Sequence, residues 1–166
     1  SCSLVGSEMC IRDSGYRWPL QPQYGTTGGA TCVSGAPNEV WSYTDQVCEI
    51  LSDYLRLRER MLPYITELME EAHEKGTPVM RPLFYDFPED KESWNVETEY
   101  MFGPKVLVKP ITDADARETD VYLPGGASWT NAWTGETFEG GQKVHVAAPI
   151  EQIPLFTRDG YKLPMK

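Results

Sequence analysis

Histidine occurs only twice in the 166 residues, at His73 and His145, and cysteine four times, at Cys2, Cys10, Cys32 and Cys48. No two cysteines form a C-x-x-C pair, so the tight ligand spacing of a zinc site is missing. Neither a metal nor a cofactor is expected. Cys32 and Cys48 are the pair a disulfide would join; nothing else points to secretion, and reduced thiols are the reading taken. Basic residues are outnumbered, 15 Lys and Arg against 25 Asp and Glu, for a formal net charge of −10. Nucleic acid and anionic membrane surfaces both need clustered cations, so neither is expected as a partner. No apolar run approaches the roughly 20 residues that span a bilayer. Apolar residues themselves are not scarce: at 40% hydrophobic the chain can bury a core.

Residues 1–14, "SCSLVGSEMCIRDS", lack the basic start and apolar centre of a signal peptide. They resemble a translated sequencing-adapter leader and are set aside from fold reasoning. Residues 15–41 are rich in Gly, Pro, Thr and Gln without periodicity, which reads as a long loop. Its "GTTGGAT" has no following Lys-Ser/Thr, so it is not a phosphate loop. From 45 to 75 the apolar residues Val47, Ile50, Leu51, Tyr54, Met61, Ile65, Leu68, Met69 and Ala72 recur at helical spacing. Thr44 is the expected N-cap and Gly76 the stop. Pro63 lacks an N–H and should kink this helix. Its charged residues read as a solvated face, and His73 suits the negative end of the helix dipole.

"GTPVMRPLFYDFPED", residues 76–90, follows the helix after a two-residue link. Short links of this kind belong to α/β units with parallel strands. A strand over Thr77–Arg81 is expected, opened near one proline and closed by Pro82. It places Arg81 at a carboxyl end, where barrel enzymes gather functional groups. Beyond about residue 100 the pattern changes to strand-like runs at 105–111, 119–124, 127–133, 136–139, 142–148 and 152–157. Thr134-Gly135, Gly140-Gly141 and Asp159-Gly160 supply turn signals. Short strands at regular spacing point to an antiparallel sandwich, with the domain boundary in residues 88–99.

The phrases "PNEVWSYTDQV", "YLRLRERMLPYITELMEEAHEKGTPVMRPLFYDFPED", "EYMFGPKVLVKPI", "VYLPGGASWTNAWTGETFEGG" and "APIEQIPLFTRDG" run in the order found in glycoside hydrolase family 31, and over residues 15–166 the chain resembles that family. The resemblance implies an α/β segment followed by an all-β one. Residues 15–87 would be the last part of a (β/α)8 barrel, with "TPVMRPL" as strand eight, and 88–99 a linker. Residues 100–166 would be an incomplete proximal C-terminal β-sandwich. It implies a retaining α-glycosidase acting on an α-glucoside or α-xyloside, with an oligosaccharide or α-glycoside substrate as its partner. Retention needs two carboxyl groups about 5–5.5 Å apart, and the family's aspartates lie on strands upstream of this chain. No catalytic residue is therefore carried over. The family's sugar-binding histidine sits in an Arg-x-His-Gly motif whose glycine would be Gly15, leaving Tyr16 and Arg17 as the expected substrate-facing residues. A stand-alone carbohydrate-binding or structural module is the rival reading.

Several local features have plainer readings. Asp86 and Asp90 lie outside the family's catalytic motifs and read as solvated loop carboxylates, because perturbed pairs need a desolvating cleft. Arg81, in a packed strand, reads as one half of an ion pair in preference to a sugar contact. Trp129 and Trp133, four apart, should share one strand face and fill the core. Asp113-x-Asp115 lacks the glycine and final glutamate of a calcium loop and reads as a polar turn.

Overall fold

The computed structural model describes the backbone of residues 22–24 and 31–33, residue 40, and residues 44–165. The first fourteen residues, Tyr16 and Arg17 lie outside the described residues. The chain divides into two units, Ser1–Arg56 and Leu57–Lys166. In the first, β1 (Pro22–Tyr24) pairs antiparallel with β2 (Thr31–Val33). The expected structureless loop thus contains a hairpin; strands of three residues are too short to leave a periodic signal.

Helix α1 (Asp45–Arg60) starts where expected: the Thr44 hydroxyl accepts from the Val47 N–H (3.4 Å), and the Thr44 carbonyl accepts from Cys48 (2.9 Å). Cys48 carries a free thiol. The single kinked helix expected over 45–75 is two helices, with α2 spanning Leu62–Lys75 and Pro63 in its first turn. Backbone hydrogen bonds from Met61 to Leu57 and from Ile65 to Met61, both 3.0 Å, carry the chain across the break. The buried stripe differs from the one read by spacing. Leu57, Tyr64 and Leu68 are buried, whereas Leu51 and Met69 stay exposed. Gly76 ends α2 at φ 70°, its N–H bonded to the Ala72 carbonyl at 3.0 Å. His73 does lie in the last turn.

Beyond α2 come β3 (Met80–Arg81), the short helix α3 (Leu83–Asp86) and a 3₁₀ turn (Lys91–Trp94). Seven strands follow: β4 (Tyr100–Phe102), β5 (Val106–Val108), β6 (Glu118–Leu123), β7 (Ser128–Asn131), β8 (Thr137–Glu139), β9 (Gln142–Ala147) and β10 (Leu155–Arg158). Six strands form one sheet in the order β3-β4-β5-β10-β7-β8, every neighbouring pair antiparallel. Strands β6 and β9 form a separate ribbon, in register from Glu118↔Ala147 to Leu123↔Gln142. The strand expected over Thr77–Arg81 is only two residues long. Its pairing in this chain is antiparallel, Met80↔Phe102, not parallel. Pro78 and Pro82 flank it, and a proline cannot donate to a ladder.

Strand alternation sorts the sheet's side chains into two layers. Leu107 and Phe156 point into one core with Met101, Trp129, Leu83 and Phe87, completed by Val121, Leu123, Val144 and Val146 of the ribbon. Val106, Val108 and Leu155 point the other way, onto Tyr64 and Leu68 of α2. The helix approaches closest at Gly103 (φ 61°), where a Cβ would collide with the Tyr64 hydroxyl and the Leu68 methyls. The Tyr64 hydroxyl donates to the Phe102 carbonyl at 2.9 Å, and burial pushes its pKa up to about 12.

Candidate functional site

A buried charged cluster lies at the end of β3. Arg81 is only 5% exposed. Its Nε donates to the Pro78 carbonyl (2.7 Å), Nη1 to Asp86 Oδ1 (3.1 Å), and Nη2 lies 3.6 Å from Glu71 Oε2. Its guanidinium also sits over the Tyr85 ring, 5.5 Å from the centroid. One side chain thus ties α2, β3 and α3 together, as the ion-pair reading expects. Asp86 is not the solvated loop carboxylate the sequence led one to expect: its side chain is 13% exposed, and burial is tolerable because Arg81 is there. Outside this cluster Phe84 stacks on Trp94 with centroids 4.6 Å apart, and both rings are partly exposed.

Asp90 departs from expectation in the same way. Its Oδ2 accepts from the Tyr122 hydroxyl (2.7 Å) and the Gly125 N–H (2.9 Å), and its Oδ1 from the Glu92 N–H (3.1 Å). Partial burial raises its pKa, but the hydrogen bonds from Tyr122, Gly125 and Glu92 outweigh this and hold it below the usual value. At the other end of the segment, Glu99 Oε1 accepts from the Tyr122 backbone N–H at 3.0 Å and lies 3.5 Å from Lys109 Nζ. Burial pushes the Glu99 pKa up, with the Tyr122 N–H and Lys109 opposing. Tyr122 is therefore gripped at its N–H by Glu99 and at its O–H by Asp90. Sequence reasoning missed Glu99, Lys109 and Tyr122. The available signals were Asp90 as a cap residue ahead of Lys91–Trp94 and two charged residues inside otherwise apolar strand phrases.

Trp129 and Trp133 do not share a face. Trp129 is fully buried in the ribbon-side core, donating to the Pro124 carbonyl at 3.0 Å. Trp133 packs on the helix-side cluster and donates to the Ile153 carbonyl at 2.7 Å. The strand ends at Asn131, whose side-chain oxygen accepts from the Trp133 N–H at 2.9 Å, and this turn breaks the alternation. Asp113 and Asp115 lie in a turn, with Asp115 at φ 61°. His145 bridges Asp120 (2.7 Å) and Glu118 (3.3 Å) on the exposed ribbon face. The hydrogen bonds to Asp120 and Glu118 raise its pKa. Among the described residues, no three His, Cys, Asp or Glu side chains gather to hold a metal ion, and no helix is long and apolar enough to cross a membrane.

Comparison with known proteins supplies the context. Residues 76–163 match the family model of the glycosyl hydrolase family 31 C-terminal domain. The chain is 40% identical over 129 residues to an alpha-xylosidase of Saccharolobus solfataricus, covering 78% of this chain and 18% of that protein. It is 39% identical over 122 residues to alpha-glucosidase 2 of Bacillus thermoamyloliquefaciens, covering 74% and 15%. A crystal structure of a GH31 alpha-xylosidase from a soil metagenome, complexed with xylose, superimposes with a TM-score of 0.75 at 38% identity. It covers 97% of this chain and 26% of the other. The chain thus spans less than a third of the length of each of these relatives.

Proposed function

Because this chain belongs to glycoside hydrolase family 31, we propose that it is the C-terminal part of a retaining α-glycosidase that hydrolyses an α-glucoside or α-xyloside. The observation that carries this reading is the match of residues 76–163 to the family's C-terminal domain. Identity of 40% to an alpha-xylosidase and 39% to an alpha-glucosidase supports both sugars equally. The catalytic aspartates would lie upstream, as nucleophile and acid/base on either side of the sugar. Tyr16 and Arg17 would face the substrate. Residues 15–87 would close the (β/α)8 barrel, 88–99 would link it, and 100–166 would form the proximal β-sandwich that braces it. Arg81 suits this division, because it fixes α2, β3 and α3 with respect to one another at the carboxyl end of the strand.

The test joins the chain to its upstream gene and assays the product on aryl α-glucoside and aryl α-xyloside. The intact parent should turn over at least one substrate and release the sugar with retained α-configuration, while this chain alone gives no turnover. Turnover by the chain alone, or an inverted product from the parent, overturns the reading. An inactive parent would favour the stand-alone module.

A further inference from the structure

A cleft of about 360 Å³ opens between the segment before β4 and the face of β6, away from the Arg81 cluster. Its lining includes Glu99, Lys109 and Tyr122, with Glu97, Val96 and Lys143 toward the rim. Unlike a random surface furrow, it contains an ion pair that is almost wholly out of water: the Glu99 side chain is 3% exposed and that of Lys109 12%. The strands hold both groups in place. Glu99 is anchored by the Tyr122 N–H, and Lys109 follows β5, its Nζ also hydrogen-bonded to the Thr98 hydroxyl.

One atom of this arrangement is unexplained. Glu99 Oε2 is buried and has no hydrogen-bond partner among the described residues. Buried carboxylate oxygens are rarely left so, because each forgoes its hydration without a replacement. A concave site with convergent polar groups and a desolvated carboxylate is a candidate small-molecule site, here with an unusually polar lining.

The lining also selects a ligand chemistry. Charges of both signs are present and largely paired in place: Lys109 with Glu99, Lys143 with Glu92 at 3.2 Å, and Asp120 with His145. An anionic ligand would have to displace a carboxylate from one of these lysines, and a cation would be left with Glu97 alone, exposed at the rim. The acidic residues do not gather as a metal ligand set. A neutral molecule bearing several hydroxyls meets the demand: it donates to carboxylate oxygens and accepts from ammonium groups, while Val96 and the Tyr122 ring meet its C–H face. The volume lies at the small end of ligand pockets and suits one ring.

We propose that the cleft floored by Glu99, Lys109 and Tyr122 is a binding site for a single neutral sugar ring. The site needs no catalytic aspartate, so it stands or falls separately from the proposed hydrolysis. Entry requires the rim at Val96 and Glu97 to move aside enough for a hydroxyl to reach Glu99.

The test is a titration of the ¹⁵N-labelled chain with xylose and with glucose, followed by amide shifts. Saturable shifts confined to the amides of residues 96–99, 109, 120–122 and 143 are expected. Glu97→Ala, on the exposed rim, should weaken the affinity about tenfold, as for loss of a charged hydrogen bond. Glu99→Gln should weaken it as well. Asp159→Asn, in a different cleft, should leave it unchanged. The absence of saturable shifts with either sugar overturns the proposal, as do shifts centred elsewhere. Saturation by a simple diamine, with none by sugars, overturns the neutral class. Activity of the joined parent is assayed independently, so failure here leaves that reading intact.

Discussion

Residues 76–99 and residues 100–158 belong to one structural unit but are held by different chemistry. The later stretch is held by apolar burial: Trp129, Phe156, Leu107 and Met101 are fully shielded. The earlier stretch has two buried apolar anchors, Leu83 and Phe87, with Val79 and Val96 packed at the edges of the cores; charged side chains supply the rest of its long-range grip. Arg81 fixes its start, Asp90 its middle and Glu99 its end. Apolar burial is non-directional and tolerates small shifts. Charge-assisted hydrogen bonds fix a register and fail sharply when one partner is removed. The difference suits a connecting segment, which has little area to bury but must enter the sheet at one place.

The contrast can be broken by mutation. The largest loss should follow Phe156→Ala in the apolar stretch, about 3–5 kcal/mol for removal of a buried aromatic, read from chemical denaturation. Arg81→Met should cost about 3 kcal/mol, since Asp86 is left buried with its main partner gone. If Arg81→Met proves neutral, the polar stretch is not held by its charges and the comparison fails. Asp90→Ala should cost about 1–3 kcal/mol, because the Tyr122 hydroxyl and the Gly125 N–H both lose their acceptor.

Acid and base should separate the two carboxylates on Tyr122. The Asp90 pKa is depressed, so its stabilising contribution is present above the ordinary Asp value and lost as pH falls through the lower folded value. The Glu99 pKa is raised, so its contribution is full below the ordinary Glu value and lost as pH rises through the folded one. Denaturation of Asp90→Asn and Glu99→Gln across pH 3–7, each compared with the parent chain, should therefore give slopes of opposite sign. The smallest effect concerns His145. Its NMR titration midpoint should lie above the ordinary histidine value of about 6.5 and fall toward it in Asp120→Asn, since both carboxylates favour the protonated ring.

The same contrast decides what is legible in the sequence. Val106 to Val108, Val121 to Leu123 and Leu155 to Thr157 are continuous apolar or alternating runs between glycine turns, and these strands lie where the pattern puts them. Gly76 and Thr44 announce the helix ends by their own backbone and side-chain chemistry. Pairing partners are less legible. Nothing in "TPVMRPL" says whether Met80 will meet a parallel or an antiparallel neighbour. Asp90 looks solvated in a Pro-rich stretch because the groups that hold it, Tyr122 and Gly125, lie 32 and 35 residues away; the Asp86 partner, Arg81, is five residues away, a spacing that fits neither a helix nor a strand period. Long-range polar pairs carry no period. The candidate site residues Tyr16 and Arg17 came from resemblance alone, and Glu99 is an acidic residue that only the three-dimensional arrangement makes unusual.

The double grip on Tyr122 has a mechanical consequence. A pull on the chain at Gly76 meets first the two-residue pairing of β3 with β4, which opens like a zip, one rung at a time. The load then passes the buried Leu83 and Phe87 to Asp90, which holds the ring end of Tyr122, and only afterwards to Glu99, which holds the same residue's backbone within a six-residue ladder. Strain arriving from upstream is thus taken up in stages, and the last two converge on a single residue of β6.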